Sequence, residues 1–157
     1  MKRLILAMLL AGAPFAHGAA VQPVTYYLQL VRGSDSEAPP SPQARAIGQK
    51  LDQRLRNIFR WKNYWEIKRE TATIRSGAAV RTKLSADREV EIAWHTPHAV
   101  TVSIYTHGKV TRRRTQSIDT AFSIAGGDSD ASQSWFIIVR RDNPDGSPTT
   151  TGLAATP

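Results

Sequence analysis

The sequence predicts an α+β fold: one helix packed on a mainly antiparallel sheet or sandwich of about seven strands. Three observations carry this. A single stretch, residues 42–59, places apolar side chains at helical spacing, and from residue 64 onward apolar positions alternate in short runs separated by turn residues. Near the end, Trp135–Val139 is apolar without interruption, the composition of a strand buried on both faces. Short connections cannot make parallel crossovers, which need about a dozen residues or more, so antiparallel pairing is expected.

The first twenty residues stand apart from that fold. Lys2 and Arg3 precede an apolar run, Leu4–Ala13, and small residues then allow cleavage after Gly18 or Ala20, the layout of a Sec-type signal peptide at 1–20. The run is well short of the ~20 residues that cross a bilayer, and no later stretch approaches that length. The mature protein is therefore expected to be exported, periplasmic or secreted, and not integral to a membrane. The chain has no cysteine, which rules out both a cysteine-linked lipid anchor and the disulfides on which small exported domains often rely. Packing alone must hold the fold, and the 41% hydrophobic content allows a core in one domain of this length.

The elements follow in order. Val24–Val31, V-T-Y-Y-L-Q-L-V, is rich in β-branched and aromatic residues and reads as the first strand. A polar, proline-containing connection covers 33–41. Ser41 as N-cap and Pro42 at the first helical position then open a helix at about 42–59. Ile47, Leu51, Leu55, Ile58 and Phe59 share its apolar face, with Lys50, Asp52, Arg54 and Arg56 on the others. Tyr64–Ile74 reads as a bent strand ending at Ser76-Gly77. Val80/Thr82/Leu84, Val90/Ile92/Trp94 and Val100/Val102/Ile104 alternate next, up to a hairpin at His107-Gly108. Lys109–Thr115 continues as a polar strand at an edge, Ile118, Phe122 and Ile124 lie at even spacing, and Gly126–Gln133 is a loop by composition. Residues 143–157 lack periodicity and read as a disordered tail, leaving 24–142 as a single domain.

The segment 59–65, F-R-W-K-N-Y-W, concentrates four aromatics and two cations in seven positions. Interleaved rings and charges are the ingredients of a nucleic-acid surface. Yet Phe59 continues the helical face and Trp65 begins an alternating row with Ile67, so the segment is expected to anchor the helix to the sheet. Trp61 is retained as a secondary binding candidate.

Without Lys2 and Arg3, nineteen basic residues face thirteen acidic ones, a balance that favours anionic surfaces: lipopolysaccharide, phospholipid headgroups, acidic polysaccharide or nucleic acid. Export argues against intracellular nucleic acid. The strongest basic feature is Arg112-Arg113-Arg114, with Lys109 close by and Arg140-Arg141 as a second pair. Successive strand residues point to opposite faces, so Arg112 and Arg114 share one face and Arg113 takes the other. Lys109, Arg112 and Arg114 are the binding candidates, although an edge strand also uses such charge against aggregation.

Catalytic and metal chemistry find little footing. His95, His98 and His107 fall close in sequence, but the strand between His98 and His107 would hold them nearly 30 Å apart at ~3.3 Å per residue. Asp128-x-Asp130 lacks the ligand count for calcium. There is no cysteine nucleophile and no G-x-S-x-G. Glu66, Glu70, Glu89 and Glu91 alternate with apolar residues and are expected to face solvent. No cofactor, metal or catalytic residue is therefore assigned.

L-R-N-I-F-R-W-K-N-Y-W at 55–65, L-S at 84–85, I-D-T-A-F-S-I-A-G-G at 118–127 and S-W-F-I-I-V-R-R at 134–141 together form a pattern. Over residues 24–141 it resembles exported bacterial single-domain proteins in which a leucine-rich helix runs into F-x-W-x-x-Y before antiparallel strands and a late Gly-Gly loop. That resemblance implies export and a β-rich domain, and it brings no activity. The expected function is that of a non-enzymatic envelope protein that binds an envelope protein, an anionic surface or a polysaccharide. Two alternatives are a small cell-wall or polysaccharide hydrolase and a structural subunit of a surface or secretion assembly.

Overall fold

The computed structural model of the chain describes residues 21–129 and 132–145; the expected signal peptide and most of the expected tail lie outside them. Nine strands and one helix are formed in the order β1 (Val24–Ser34), β2 (Arg45–Ala46), α1 (Gln49–Arg56), β3 (Asn63–Ile74), β4 (Ala79–Lys83), β5 (Arg88–Thr96), β6 (Ala99–Thr106), β7 (Lys109–Ser117), β8 (Phe122–Ser129) and β9 (Gln133–Arg140). They make two antiparallel sheets, β2-β3-β1-β9-β8 and β4-β5-β6-β7. The mostly-β, antiparallel expectation holds; the strand number is nine where about seven were expected.

Period-two alternation sorts the side chains of β1 and β9 into two clusters. Tyr26, Leu28 and Leu30 of β1, with Ile137 and Val139 of β9, meet Val90, Ile92, Trp94, Val100, Val102 and Ile104 of the second sheet in one core. The opposite faces of the same strands supply Val31, Phe136 and Ile138, which pack with Ile47, Leu51, Leu55, Trp61 and Tyr64 on the helix side. β9 is thus buried on both faces and flanked by β1 and β8, as its unbroken apolar run requires.

The helix is shorter than its apolar spacing implies. Ala44 N–H donates to Ser41 O (3.1 Å), closing a turn where a helix start was expected. Arg45 and Ala46 then pair with Glu66 and Trp65 of β3, so their backbone groups are satisfied by a sheet edge. Gly48 caps α1 in extended conformation with no side-chain bond. Ile47 still reaches the helix-side cluster, which explains why its spacing to Leu51 looks helical. Ile58, beyond the last turn, is 61% exposed and does not belong to the buried face.

A bulge settles what the aromatic segment does. Leu30 pairs with Lys68 but Val31 with Glu66, so Ile67 is the extra residue in β3. One inserted residue reverses the faces of everything preceding it. Tyr64 therefore joins Trp61 and Phe59 on the helix side, while Trp65 points to the other face, in register with Arg32. The Phe59 and Phe136 rings lie 4.5 Å apart between centroids and those of Tyr64 and Phe136 6.1 Å, within the range of favourable aromatic pairs. Gly33 makes this fit possible: a β-carbon there would fall 2.8 Å from Trp61 Cδ1 and 3.0 Å from both Phe136 and Tyr64.

Two further expectations need correction. Residues 126–129, a loop by composition, continue β8 in register with β9, because glycine-rich sequence carries no side-chain pattern even where its backbone pairs. Residues 143–145, assigned to the tail, are held to the sheet: Asp145 accepts from Arg69 Nη1 at 2.7 Å.

Candidate anion-binding cleft

The β6–β7 hairpin turns through His107 (φ 50°) and Gly108 (φ 76°), the left-handed conformations of a two-residue turn matched to sheet twist. Just beyond it a second bulge leaves Thr111 unpaired: Tyr105 pairs with Val110, but Ile104 with Arg112 and Val102 with Arg114. Ile104 and Val102 belong to the inter-sheet core, so Arg112 and Arg114 stand on that same face at the free edge of the sheet. Arg113, on the other face, donates to Ser103 Oγ at 3.1 Å. The division of the triplet between two faces is as expected from the strand period.

Arg112 opens onto a cleft of about 190 Å³. Thr106, Thr111 and Ile104 line one wall and Trp135 and Ile137 of β9 the other, with Arg88 of β5 at its end. The Arg88 guanidinium lies 5.0 Å from the centroid of the Trp135 ring, a favourable cation–π distance. Asp87 accepts from Arg88 Nη1 at 2.9 and 3.1 Å. The hydroxyl of Ser85, and next the Arg88 charge, hold the Asp87 carboxyl below the usual carboxylate range. Arg32 of β1 approaches the same indole, 5.7 Å from its centroid.

The candidate residues separate clearly. Lys109, Arg112 and Arg114 all lie exposed on β7, and among the described residues none has an ion-pair partner; of these, Arg112 lines the cleft. Trp61 does not contribute. It is 4% exposed, and its indole N–H donates to Ser134 Oγ at 2.6 Å, so it belongs to the core between helix and sheet. Arg140 is buried against Asp142, and Arg141 donates to Ile118 O at 3.2 Å. Sequence reasoning missed Arg32, Arg88 and Trp135. A signal for Arg32 was present: the inward row Tyr26, Leu28, Leu30 ends on a cation where the next apolar residue was due.

Glu66 corrects another expectation. It is 6% exposed because the β3 bulge turns it inward, where Gln29 Nε2 donates to it and Arg69 holds both its oxygens at 3.0–3.1 Å. Arg69 continues to Asp145 and keeps that carboxyl below its usual range. A second groove of about 300 Å³, lined by Gln43, Arg45 and this pair, lies alongside. Its carboxylate is engaged by an arginine, which makes the network a fastener between β1, β3 and the segment after β9.

His98 and His107 fall at opposite ends of β6, and among the described residues no three His, Cys, Asp or Glu are grouped for a metal. Asp130 lies outside the described residues. No helix among them is long and apolar enough to cross a membrane. Comparison with protein-family models, with curated proteins and with solved structures gives no match in any of the three. Function must therefore be argued from this geometry.

Proposed function

We propose that the protein is an exported binding domain of the bacterial envelope, working without catalysis, whose β7 edge and adjoining cleft grip an anionic surface or acidic polysaccharide. The observation that carries this is Arg112. It belongs to an exposed row with Lys109 and Arg114 that has no ion-pair partner among the described residues, and it also lines a cleft with a second guanidinium and two threonine hydroxyls. The two hydroxyls bond each other and Thr111 donates to Ile104 O, and Arg88 is held by Asp87, so Arg112 supplies the charge available to a ligand; among the described residues the lining contains no carboxylate. Donors fixed against a sheet hold an anion, while general acid–base chemistry at a sugar requires a pair of acids flanking the bond. The hydrolase alternative is correspondingly weaker, since Glu66, the carboxylate of the second groove, is bound to Arg69.

The outer edge of β7 favours a second reading, assembly by strand addition. Among the described residues β7 ends its sheet, with β6 on one side and no strand on the other, and an acidic segment could extend the sheet there. A discrete crosslinked product in cells would support assembly over free binding.

The test of the first reading is binding to polygalacturonate and to anionic vesicles across a salt titration, with Arg112→Glu/Arg114→Glu as the variant. Affinity should fall as the Debye length shrinks below about 8–10 Å. The double variant should lose most of the binding while its melting temperature stays within a few degrees of the parent. Binding unchanged in 0.5 M salt or by the double variant would overturn the proposal.

A further inference from the structure

We propose that the cross-strand row Trp65–Arg32–Trp135 is the seat for a single oxyanion of the partner, a carboxylate or phosphate group taken by the Arg32 guanidinium. This rests on the anionic-partner reading above and adds a ligand group and a position to it.

The register sets the geometry. Arg32 is paired directly with Trp65 of β3 on one side and with Trp135 of β9 on the other. Directly paired residues share a face, so all three side chains point toward the second sheet, at the end of the row begun by Tyr26, Leu28 and Leu30. The bulge at Ile67 is what brings Trp65 into this row.

Arg32 differs from every comparable cation in the structure. The other arginines that are not exposed each have a carboxylate: Arg69 has Glu66, Arg88 has Asp87, Arg140 has Asp142 and Arg141 has Asp119. Arg32 has none. Its Nε is shut off from solvent and donates to nothing, and the indole N–H of its neighbour Trp65 is in the same state. Buried donors are nearly always matched in folded proteins, so two unmatched donors on paired residues point to an acceptor supplied from outside. The acceptor's charge follows from its surroundings. Arg112, with no ion-pair partner among the described residues, lines the adjoining cleft, and Arg32 itself has no carboxylate among them, while Arg88 on the same Trp135 ring is neutralised by Asp87; the two unpaired guanidiniums favour an anion. Arg32 is half-buried, and its planar guanidinium matches a carboxylate or phosphate in two parallel hydrogen bonds; the Trp65 N–H, buried beside it, becomes a third donor once the ligand displaces the side chains that cover it. Trp135 keeps both guanidiniums in place before the ligand arrives, which lowers the ordering cost of binding.

The test is thermal unfolding and tryptophan fluorescence of the full chain, titrated with sodium glucuronate and with inorganic phosphate against sodium chloride at matched ionic strength. Either oxyanion should raise the melting temperature saturably beyond chloride and perturb the fluorescence. Saturation at lower glucuronate than phosphate assigns a polysaccharide carboxylate, and the reverse a phosphate. Arg32→Met should melt no lower than the parent without ligand, since it removes a buried Nε donor that has no partner, and should lose the saturable shift. Trp65→Phe, which deletes the N–H and keeps the ring, should bind about ten- to hundredfold more weakly, with Arg113→Gln unchanged. If neither oxyanion exceeds chloride, or if Arg32→Met keeps the shift, the seat is wrong. Should polygalacturonate still bind through Arg112 and Arg114 in that case, the envelope-binding reading survives alone; if nothing anionic binds, both fall.

Discussion

The four tryptophans divide into two pairs that look alike in sequence and behave as opposites in the fold. Trp61 and Trp94 are buried at 4% and 2% exposure, and each indole N–H has an acceptor at 2.6 Å, Ser134 Oγ for Trp61 and Thr96 O for Trp94. Trp65 and Trp135 are half-buried; both stand in register with Arg32, and the indole N–H of Trp65 is left unmatched. One pair closes the core and is finished within the molecule. The other lies where the core gives way to arginines, and there the Trp65 N–H has no acceptor among the described residues. Aromatic and basic residues in proximity therefore do not by themselves mark a binding surface, as Trp61 with its neighbouring Arg60 illustrates.

The largest effect that could break this contrast is truncation of the finished pair. Trp61→Ala should cost about 3–5 kcal/mol, much of a small domain's total of about 5–15 kcal/mol, whereas Trp65→Ala should cost roughly half as much because the ring is only partly withdrawn from water. Urea unfolding of the two variants checks the ratio. Next in size is Gly33→Ala, whose added methyl enters the space between Trp61, Tyr64 and Phe136 and should destabilise by about 1–3 kcal/mol. The same crowding is absent at Gly77, where φ of +77° but no neighbour is found.

A sharper comparison replaces only the indole nitrogen. Trp61→Phe leaves the buried Ser134 hydroxyl without its donor and should cost about 1–3 kcal/mol beyond the change in ring size. Trp65→Phe removes an unmatched donor and should show no such additional cost. Equal penalties in the two variants would mean that the pairs are not distinct.

The smallest effect is on pH. Asp87 has its pKa lowered by Ser85 and Arg88, so its contribution to stability is present above the ordinary carboxylate value of about 4 and is lost as pH falls through its lower folded value. Between pH 5 and pH 2 the melting temperature should drop, and Asp87→Asn should flatten part of that slope. Because Arg88 rests on Trp135, the fluorescence of the cleft should change over the same interval.

Much of the fold was legible, for reasons that also explain the failures. Strands that bury one face announce themselves by alternation, as Val90/Ile92/Trp94 and Val100/Val102/Ile104 do, and β9 announces itself by burying two. The helix was overextended because side-chain spacing counted Ile47 as helical, while the backbone of Arg45 and Ala46 was committed to β3. Two paired residues make too short a strand to carry a pattern, and the bulge at Ile67 carries none at all, yet it decides the faces of Tyr64, Trp65 and Glu66. Of the candidate site, Arg112 was visible as edge-strand charge. Arg32, Arg88 and Trp135 come from strands far apart in sequence, and their proximity depends on registers that no local pattern encodes.

The position of β1 has a consequence for the timing of folding. Its two hydrogen-bonded partners are β3 and β9, and its pairing of Tyr27 with Arg140 joins nearly the first described residue to nearly the last. The larger sheet cannot close around its middle strand until the final strand has left the ribosome, and such long-range pairing is intrinsically slow. A nascent chain with this topology completes the larger sheet only after β9, the last described strand, has been made.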